Sequence, residues 1–207
     1  MILLDNCPLC TGNNLLKKLD CIDHSTSKEK FTIVSCETCD FTFTNPRPDD
    51  DSLSEYYKSD TYISHTNNTK GMFNWIYHTV RKYAIRTKLN LLKRISRNKN
   101  HLDVGCGTGE FLNACQKAGY NTKGIEPSRL ARNQAINNFN LSVNENTNLN
   151  QFQENQFDSI SMWHVLEHVP EINKTIKEFN RILSKHGKVI IAVPNHKSRD
   201  TEHYKQF

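Results

Sequence analysis

The stretch that most constrains this chain is "HLDVGCGTGEFLNACQKAGYNTKGIEPS", which begins at residue 101. A short apolar run, His101–Val104, meets a glycine-rich turn. A segment with helical apolar spacing follows, over Phe111, Leu112, Cys115 and Ala118. Gly119 is placed to end that helix as a C-terminal cap. A second strand is expected over Asn121–Ile125, which makes the whole a strand–helix–strand unit with parallel strands. The alternation continues. Ser128 can cap a helix carrying Leu130, Ala131, Ala135, Ile136 and Phe139. A weak strand is expected near Leu141–Val143 and a stronger one at "FDSISMW", residues 157–163. Pro170 opens a helix with Ile172, Ile176, Phe179, Ile182 and Leu183, expected to stop at Gly187. The last strand is "KVIIAV", residues 188–193. Repeated units of this kind predict an α/β fold, a Rossmann-like parallel sheet of five strands with flanking helices.

The glycines of the turn, Gly105, Gly107 and Gly109, are spaced G-x-G-x-G, whereas a dinucleotide turn needs G-x-G-x-x-G. Glu110 starts the helix, and it adds negative charge where a pyrophosphate would meet free N–H groups and the helix dipole. The Walker pattern also fails, because no Gly-Lys-Ser/Thr follows. The turn therefore suits a ligand without phosphates that comes close to the backbone. Glu126 follows the second strand, where an acid can accept hydrogen bonds from both hydroxyls of a ribose. Asp103, at the end of the first strand, can reach an ammonium group directly or through water. On these residues, "LDVGCGTGEFL" and "GIEPS" resemble motif I and the acidic ribose loop of class I S-adenosylmethionine-dependent methyltransferases. The resemblance implies S-adenosylmethionine as cofactor, bound by Asp103, Gly105, Gly107, Gly109 and Glu126. Cys106 reads as a small side chain within the turn.

The segment "FDSISMWHVLEHVPE" extends the resemblance, because in that family the end of the fourth strand lines the transfer site. DNA amino-methyltransferases carry an Asn-Pro-Pro-Tyr type of signature there, and Met162-Trp163-His164-Val165 argues against that chemistry. The segment is similar to small-molecule methyltransferases, including the ubiquinone-biosynthesis O-methyltransferases. Those have Glu-x-x-Glu-His here, with a metal role in some members. This chain has His164-x-x-Glu167-His168, so the first acid is replaced. His164 is the candidate base, since histidine titrates near neutrality; the competing reading is that it packs beside the cofactor. Trp163 is a candidate for the adenine wall, with plain core packing as the alternative. Glu167 and His168 are expected to shape the loop.

Upstream, Cys7-Pro-Leu-Cys10 and Cys36-Glu-Thr-Cys39 form two knuckles separated by 25 residues. Four thiolates in this pattern suit tetrahedral zinc, with iron as the second metal. So small a segment needs a staple, and metal binding supplies folding free energy. Residues 1–45 thus read as a zinc-ribbon-like module with a structural metal. The chain has seven cysteines, an odd number, which suits a reducing compartment and hence the cytoplasm. Its longest apolar run, Val189–Val193, is too short to cross a membrane, and its first residues lack the features of a signal peptide. The stretch "CDFTFTNPRPDDDSLSEYY" resembles the start of bacterial methyltransferases with an N-terminal zinc ribbon, related to sugar C-methyltransferases. That resemblance implies a sugar or lipid precursor as the small-molecule acceptor, and makes Tyr56, Tyr57 and Tyr62 lid candidates; packing is the competing role.

Residues 46–100 form a helical connector or lid. Trp75, Ile76, Val80, Tyr83, Ala84, Leu91, Leu92 and Ile95 approximate one helical face. Lys58, Lys70, Arg81, Lys82, Arg86, Lys88, Lys93, Arg94, Arg97 and Lys99 make it strongly basic within a chain of net charge +5. A basic field attracts phosphate-bearing partners, although a solvated helix face is the simpler reading. Residues 101–207 are the S-adenosylmethionine-binding core. Two further readings stay open: an RNA methyltransferase that docks through the zinc module and basic helix, and a non-catalytic zinc protein with a vestigial fold. The resemblance implies seven strands and five are visible, so a truncated chain is expected, with the last strand as an apolar edge.

Overall fold

A computed structural model describes residues 1–24, 26–49, 52, 56, 72–96, 98–195 and 198. These residues divide into two compact units. One is drawn from Met1–Asn68, Pro170–Asn173 and Asn195–Phe207, the other from Thr69–Val169 and Lys174–Pro194.

The first unit contains a three-stranded antiparallel sheet in the order β1 (Leu15–Ile22), β2 (Lys30–Cys36), β3 (Thr42–Thr44). The sequence reading placed the cysteines here but no strands. The reason lies in the residues: Leu15-Leu16 and Lys17-Lys18 come in pairs and do not alternate, and β1 is broken by a register shift between Lys17 and Leu19. Both features blur the period-2 signal. Asp20 accepts from Lys17 and Thr32, and these bonds, with Lys30, hold its carboxyl well below the usual range. Tyr56 sets its ring edge-on to Phe31 at 5.9 Å and donates its hydroxyl to Glu29 at 2.7 Å, a packing role. Tyr57 and Tyr62 lie outside the described residues.

The second unit opens with α1 (Met72–Ile95) and then alternates: β4 (Asn100–Val104), α2 (Glu110–Lys117), β5 (Asn121–Ile125), α3 (Arg129–Phe139), β6 (Val143–Asn144), β7 (Phe157–Trp163), α4 (Ile172–Ile182) and β8 (Leu183–Ala192). The sheet is parallel throughout, in the order β6-β5-β4-β7-β8. Along β4 and β7 the side chains alternate between its faces. Leu102, Ile160 and Met162 join Phe157, Phe179 and Ile182 in one core, under α4. On the other face Leu92, Phe111, Cys115, Tyr120 and Ile190 pack together beneath α1 and α2. Gly119 ends α2: its N–H bonds Gln116 O at 2.9 Å and that of Tyr120 bonds Cys115 O at 3.1 Å, the paired bonds of a Schellman cap. Ser128 caps α3 by accepting from the Ala131 N–H.

Three sequence expectations are corrected. The inner face of α1 is Ile85, Leu89, Leu92 and Ile95, whereas Ile76, Val80, Tyr83 and Leu91 are exposed. Lys88 and Arg81 share the inner face, so apolarity alone misjudged the phase. On α3 the buried residues are Ala131 and Ala135, while Leu130 and Ile136 point outward; Ala135 packs in one cluster with Leu112 of α2, so near the turn that a Cβ on Gly109 would lie 2.7 Å from it. The helix expected to run to Gly187 ends at Ile182. Leu183 already pairs with Phe157, and the register breaks before Lys188 pairs with Ser159. Ser184 within that break donates to Asp158 at 3.1 Å. Gly187 thus belongs to an irregularity in β8 and not to a helix end.

Candidate functional site

The candidate site lies at the carboxyl ends of β4, β5 and β7, where open parallel sheets bind ligands. Gly105, Gly107 and Gly109 all have positive φ, at 71°, 54° and 83°. Their surroundings differ. A Cβ on Gly105 would lie 2.3 Å from Val165, and one on Gly109 would lie 2.7 Å from both Ala135 and Leu141. A Cβ on Gly107 would meet nothing within 4 Å. Two glycines therefore serve the packing of the turn itself, and Gly107 leaves open space. Gly109→Ala is expected to lower stability by about 2 kcal/mol or more, through backbone strain and overpacking together. A urea unfolding midpoint equal to that of the parent would contradict this.

Glu126 is buried at the end of β5. Its two carboxylate oxygens accept from the N–H groups of Gly107 at 2.8 Å and Ser128 at 2.9 Å. Each oxygen keeps a lone pair for a further donor. Asp103 is buried at the end of β4 and accepts from the Ser161 hydroxyl. Burial pushes its carboxyl up to about 7, against the Ser161 bond and the Lys88 charge. Cys106 is a buried thiol whose pKa burial raises strongly, which makes it unreactive.

Glu110 pairs with Arg81 of α1 at 2.6 Å and accepts from the Thr108 hydroxyl at 2.7 Å. Its charge is thus balanced, so its repulsion of a phosphate is weaker than the sequence suggested. The missing third glycine still separates this turn from a dinucleotide loop. Arg81 was missed as a site residue; the signal was its i+4, i+7 and i+11 spacing with Ile85, Lys88 and Leu92. Trp163 packs its ring edge-on to Phe111 at 5.6 Å and beneath Lys88 Nζ at 4.3 Å. These contacts favour core packing over a place on the adenine.

His164 follows β7 with φ of 59°, a costly conformation for a residue with a side chain. Its N–H is anchored on Ala192 O at 2.8 Å, and its ring is largely exposed. Glu167 Oε1 lies 3.9 Å from His164 Nδ1 and 4.0 Å from His168 Nε2. Burial lowers the pKa of His168. The strained loop turns His164 out at the sheet's carboxyl end, where a base could meet an acceptor.

In the first unit the sulfurs of Cys7, Cys10, Cys36 and Cys39 all lie within 4.8 Å of one another. Cys7 and Cys39 are 3.7 Å apart, and Cys10 and Cys36 are 3.6 Å apart. Tetrahedral zinc with bonds of about 2.3 Å requires sulfurs about 3.8 Å apart, so the donor set fits.

Counted from β4, the strand order is third, second, first, fourth, fifth. With the glycine turn and an acid at the end of each of the first two strands, it defines the class I methyltransferase fold. The chain belongs to the methyltransferase domain family, which matches residues 76–207. The ubiquinone biosynthesis O-methyltransferase of Actinobacillus pleuropneumoniae is 34% identical over 109 residues, covering 47% of this chain and 46% of that protein. An uncharacterized methyltransferase of Bacillus cereus is 33% identical over 97 residues, covering 45% and 46%. The chain spans about half the length of these relatives. Two solved structures share the fold. A SAM-dependent methyltransferase from Archaeoglobus fulgidus superposes with a TM-score of 0.53 at 20% identity, over 70% of this chain and 63% of that one. The magnesium protoporphyrin IX methyltransferase from Synechocystis PCC 6803 gives 0.55 at 16% identity, over 78% and 86%.

Proposed function

We propose that the chain is an S-adenosylmethionine-dependent methyltransferase acting on a small-molecule acceptor, with a structural zinc in its cysteine module. The observation that carries this reading is the pair of buried acids beside the open face of Gly107. Glu126 keeps lone pairs for two ribose hydroxyls, and Asp103 offers a carboxylate to an ammonium group. When bound, S-adenosylmethionine supplies an electrophilic methyl carbon on its sulfonium. The chain's own tasks are to orient that carbon toward the acceptor, to exclude water, and to remove a proton where the acceptor is a hydroxyl. His164 is the residue we assign to the proton, with Glu167 across from its Nδ1. In this reading residues 1–45 hold the metal, residues 46–100 lead into the layer beneath which Trp163 packs, and residues 101–207 hold the donor. The similarity to an O-methyltransferase favours an oxygen acceptor, and the odd number and paired spacing of the cysteines favour the cytoplasm. Among the described residues no helix is long and apolar enough to cross a membrane.

Calorimetry with S-adenosylmethionine tests the donor site. Glu126→Ala is expected to weaken binding by about a hundredfold, since two buried hydrogen bonds to the ligand are lost. Binding unchanged by that substitution, or absent from the parent protein, would sink the assignment. A second reading, RNA as acceptor, draws on one observation: α1 carries Lys82, Arg86, Lys93 and Arg94 on its exposed surface and no acid at all. RNA binding with a steep salt dependence would favour it.

A further inference from the structure

Four buried side chains form a continuous hydrogen-bonded line into the candidate donor site. Ser159 Oγ lies 2.9 Å from His101 Nδ1, Ser161 Oγ lies 3.1 Å from His101 Nε2, and Ser161 Oγ lies 2.5 Å from Asp103 Oδ1. His101, Ser159 and Ser161 have no exposed surface, and Asp103 is 2% exposed. Strand pairing builds the line: His101 sits opposite Ser159 and Asp103 opposite Ser161, all on one face of the sheet. The rings of Phe111 and Tyr120 meet the imidazole edge-on at 5.9 Å and 6.2 Å and seal it. Apolar residues would fill this space without the cost of desolvating four polar groups. The same face holds Phe111, Cys115 and Ile190, so the polar line interrupts an otherwise apolar layer.

Counting protons gives the line a direction. An ionised Asp103 only accepts, so the single Ser161 hydroxyl proton must point to it. Ser161 oxygen then accepts from His101 Nε2–H, and the bare Nδ1 accepts from Ser159. If Asp103 takes up a proton and donates it to Ser161, each bond reverses. Ser161 then donates to Nε2, and Nδ1–H donates to Ser159. The reversal adds one proton to the four groups: the carboxyl gains it, and the imidazole proton changes sides.

We propose that His101, Ser159 and Ser161 are positioning residues for donor recognition: their line holds Asp103 ionised toward the ammonium group of the methyl donor, and the His101 tautomer follows the charge of Asp103. This rests on the reading that Asp103 receives that ammonium. The titratable groups facing Asp103 are Lys88 from α1, Cys115 from α2, Cys106 in the turn and Glu126 after β5. Burial holds His101 near 4 and so keeps its ring neutral, while Asp103 changes charge near 7. The imidazole therefore changes its tautomer, not its charge, across the neutral range.

Nitrogen-15 NMR of histidine-labelled protein tests this, with the His101 signals assigned by His101→Gln. Between about pH 5.5 and about pH 8.5 the ligand-free protein should pass from the Nδ1–H to the Nε2–H tautomer, and Asp103→Asn should abolish the change. S-adenosylhomocysteine added at the lower pH should drive the ring to Nε2–H. By calorimetry, Ser161→Ala should weaken S-adenosylhomocysteine about tenfold at pH 7 and move its binding profile to higher pH. Ser161→Thr should restore both. A tautomer that ignores pH and ligand overturns the proposal, even if S-adenosylhomocysteine binds and the donor reading stands. A tautomer that follows pH in a protein that never binds S-adenosylhomocysteine overturns the donor reading and the positioning role with it, and leaves the coupling.

Discussion

Stripping the proposed zinc from the cysteine cluster is expected to melt the β1–β3 sheet. Among the described residues before Asp49, Val34 is the one large aliphatic side chain that is buried; Cys7, Cys36 and Pro48 are the other buried apolar residues. Burying one valine contributes about 2 kcal/mol, whereas ordering a single residue costs about 1–2 kcal/mol. The sheet cannot stand on that core. A four-thiolate zinc site supplies on the order of 10 kcal/mol, several times what that valine contributes. Cys36→Ser should have the same effect permanently, because Cys36 is both a donor and the last residue of β2. Amide exchange along β1 and β2 would register it, with protection lost after chelation and regained when zinc is returned. Reductant must be present, since sulfurs 3.6 Å and 3.7 Å apart are poised to oxidise once the metal leaves. Strands that stay protected in metal-free, reduced protein would show that the sheet needs no staple.

Asp103→Asn should do two opposite things: weaken donor binding strongly and stabilise the ligand-free protein. Asp103 is held at about 7 by burial, against an ordinary 3.8. The folded state therefore keeps a proton that the unfolded chain has released. The stability this contributes is complete below about pH 4 and is lost as pH rises through about 7. At pH 8 the folded protein carries an ionised carboxylate at a cost on the order of a few kcal/mol. Asparagine removes that charge, so the variant should melt several degrees higher than the parent at pH 8, with the gap closing toward pH 5. Loss of the proposed ammonium contact should weaken S-adenosylmethionine by about a hundredfold or more. Equal melting temperatures at pH 8 would mean that Lys88 and Ser161 already compensate the charge in full.

The parallel sheet was legible because β4 stops at a glycine turn and β5 at an acid, with helical spacing after each. Gly119 and Ser128 marked helix ends through local backbone chemistry, which needs no tertiary context. The end of α4 was not legible, since "ILSKHG" has helical propensity and only pairing with β7 turns Leu183 into a strand. The phase of α1 failed for a related reason: among its described side chains, the exposed apolar residues outnumber those that face the core. At the site, spacing and residue type pointed to the glycines, Asp103, Glu126 and the cysteines. Arg81 on Glu110 and the His101 line were hidden because they join residues 29 and 60 positions apart.

Lys88 above the indole of Trp163 has a consequence for watching this protein at work. The ammonium lies 4.3 Å from the ring centroid, and the same lysine acts on Asp103. An indole's emission energy responds to nearby charge. Trp163 is therefore a native optical probe set beside the pocket wall, and a ligand that alters the charge of Asp103 or moves Lys88 changes its colour without any label being attached.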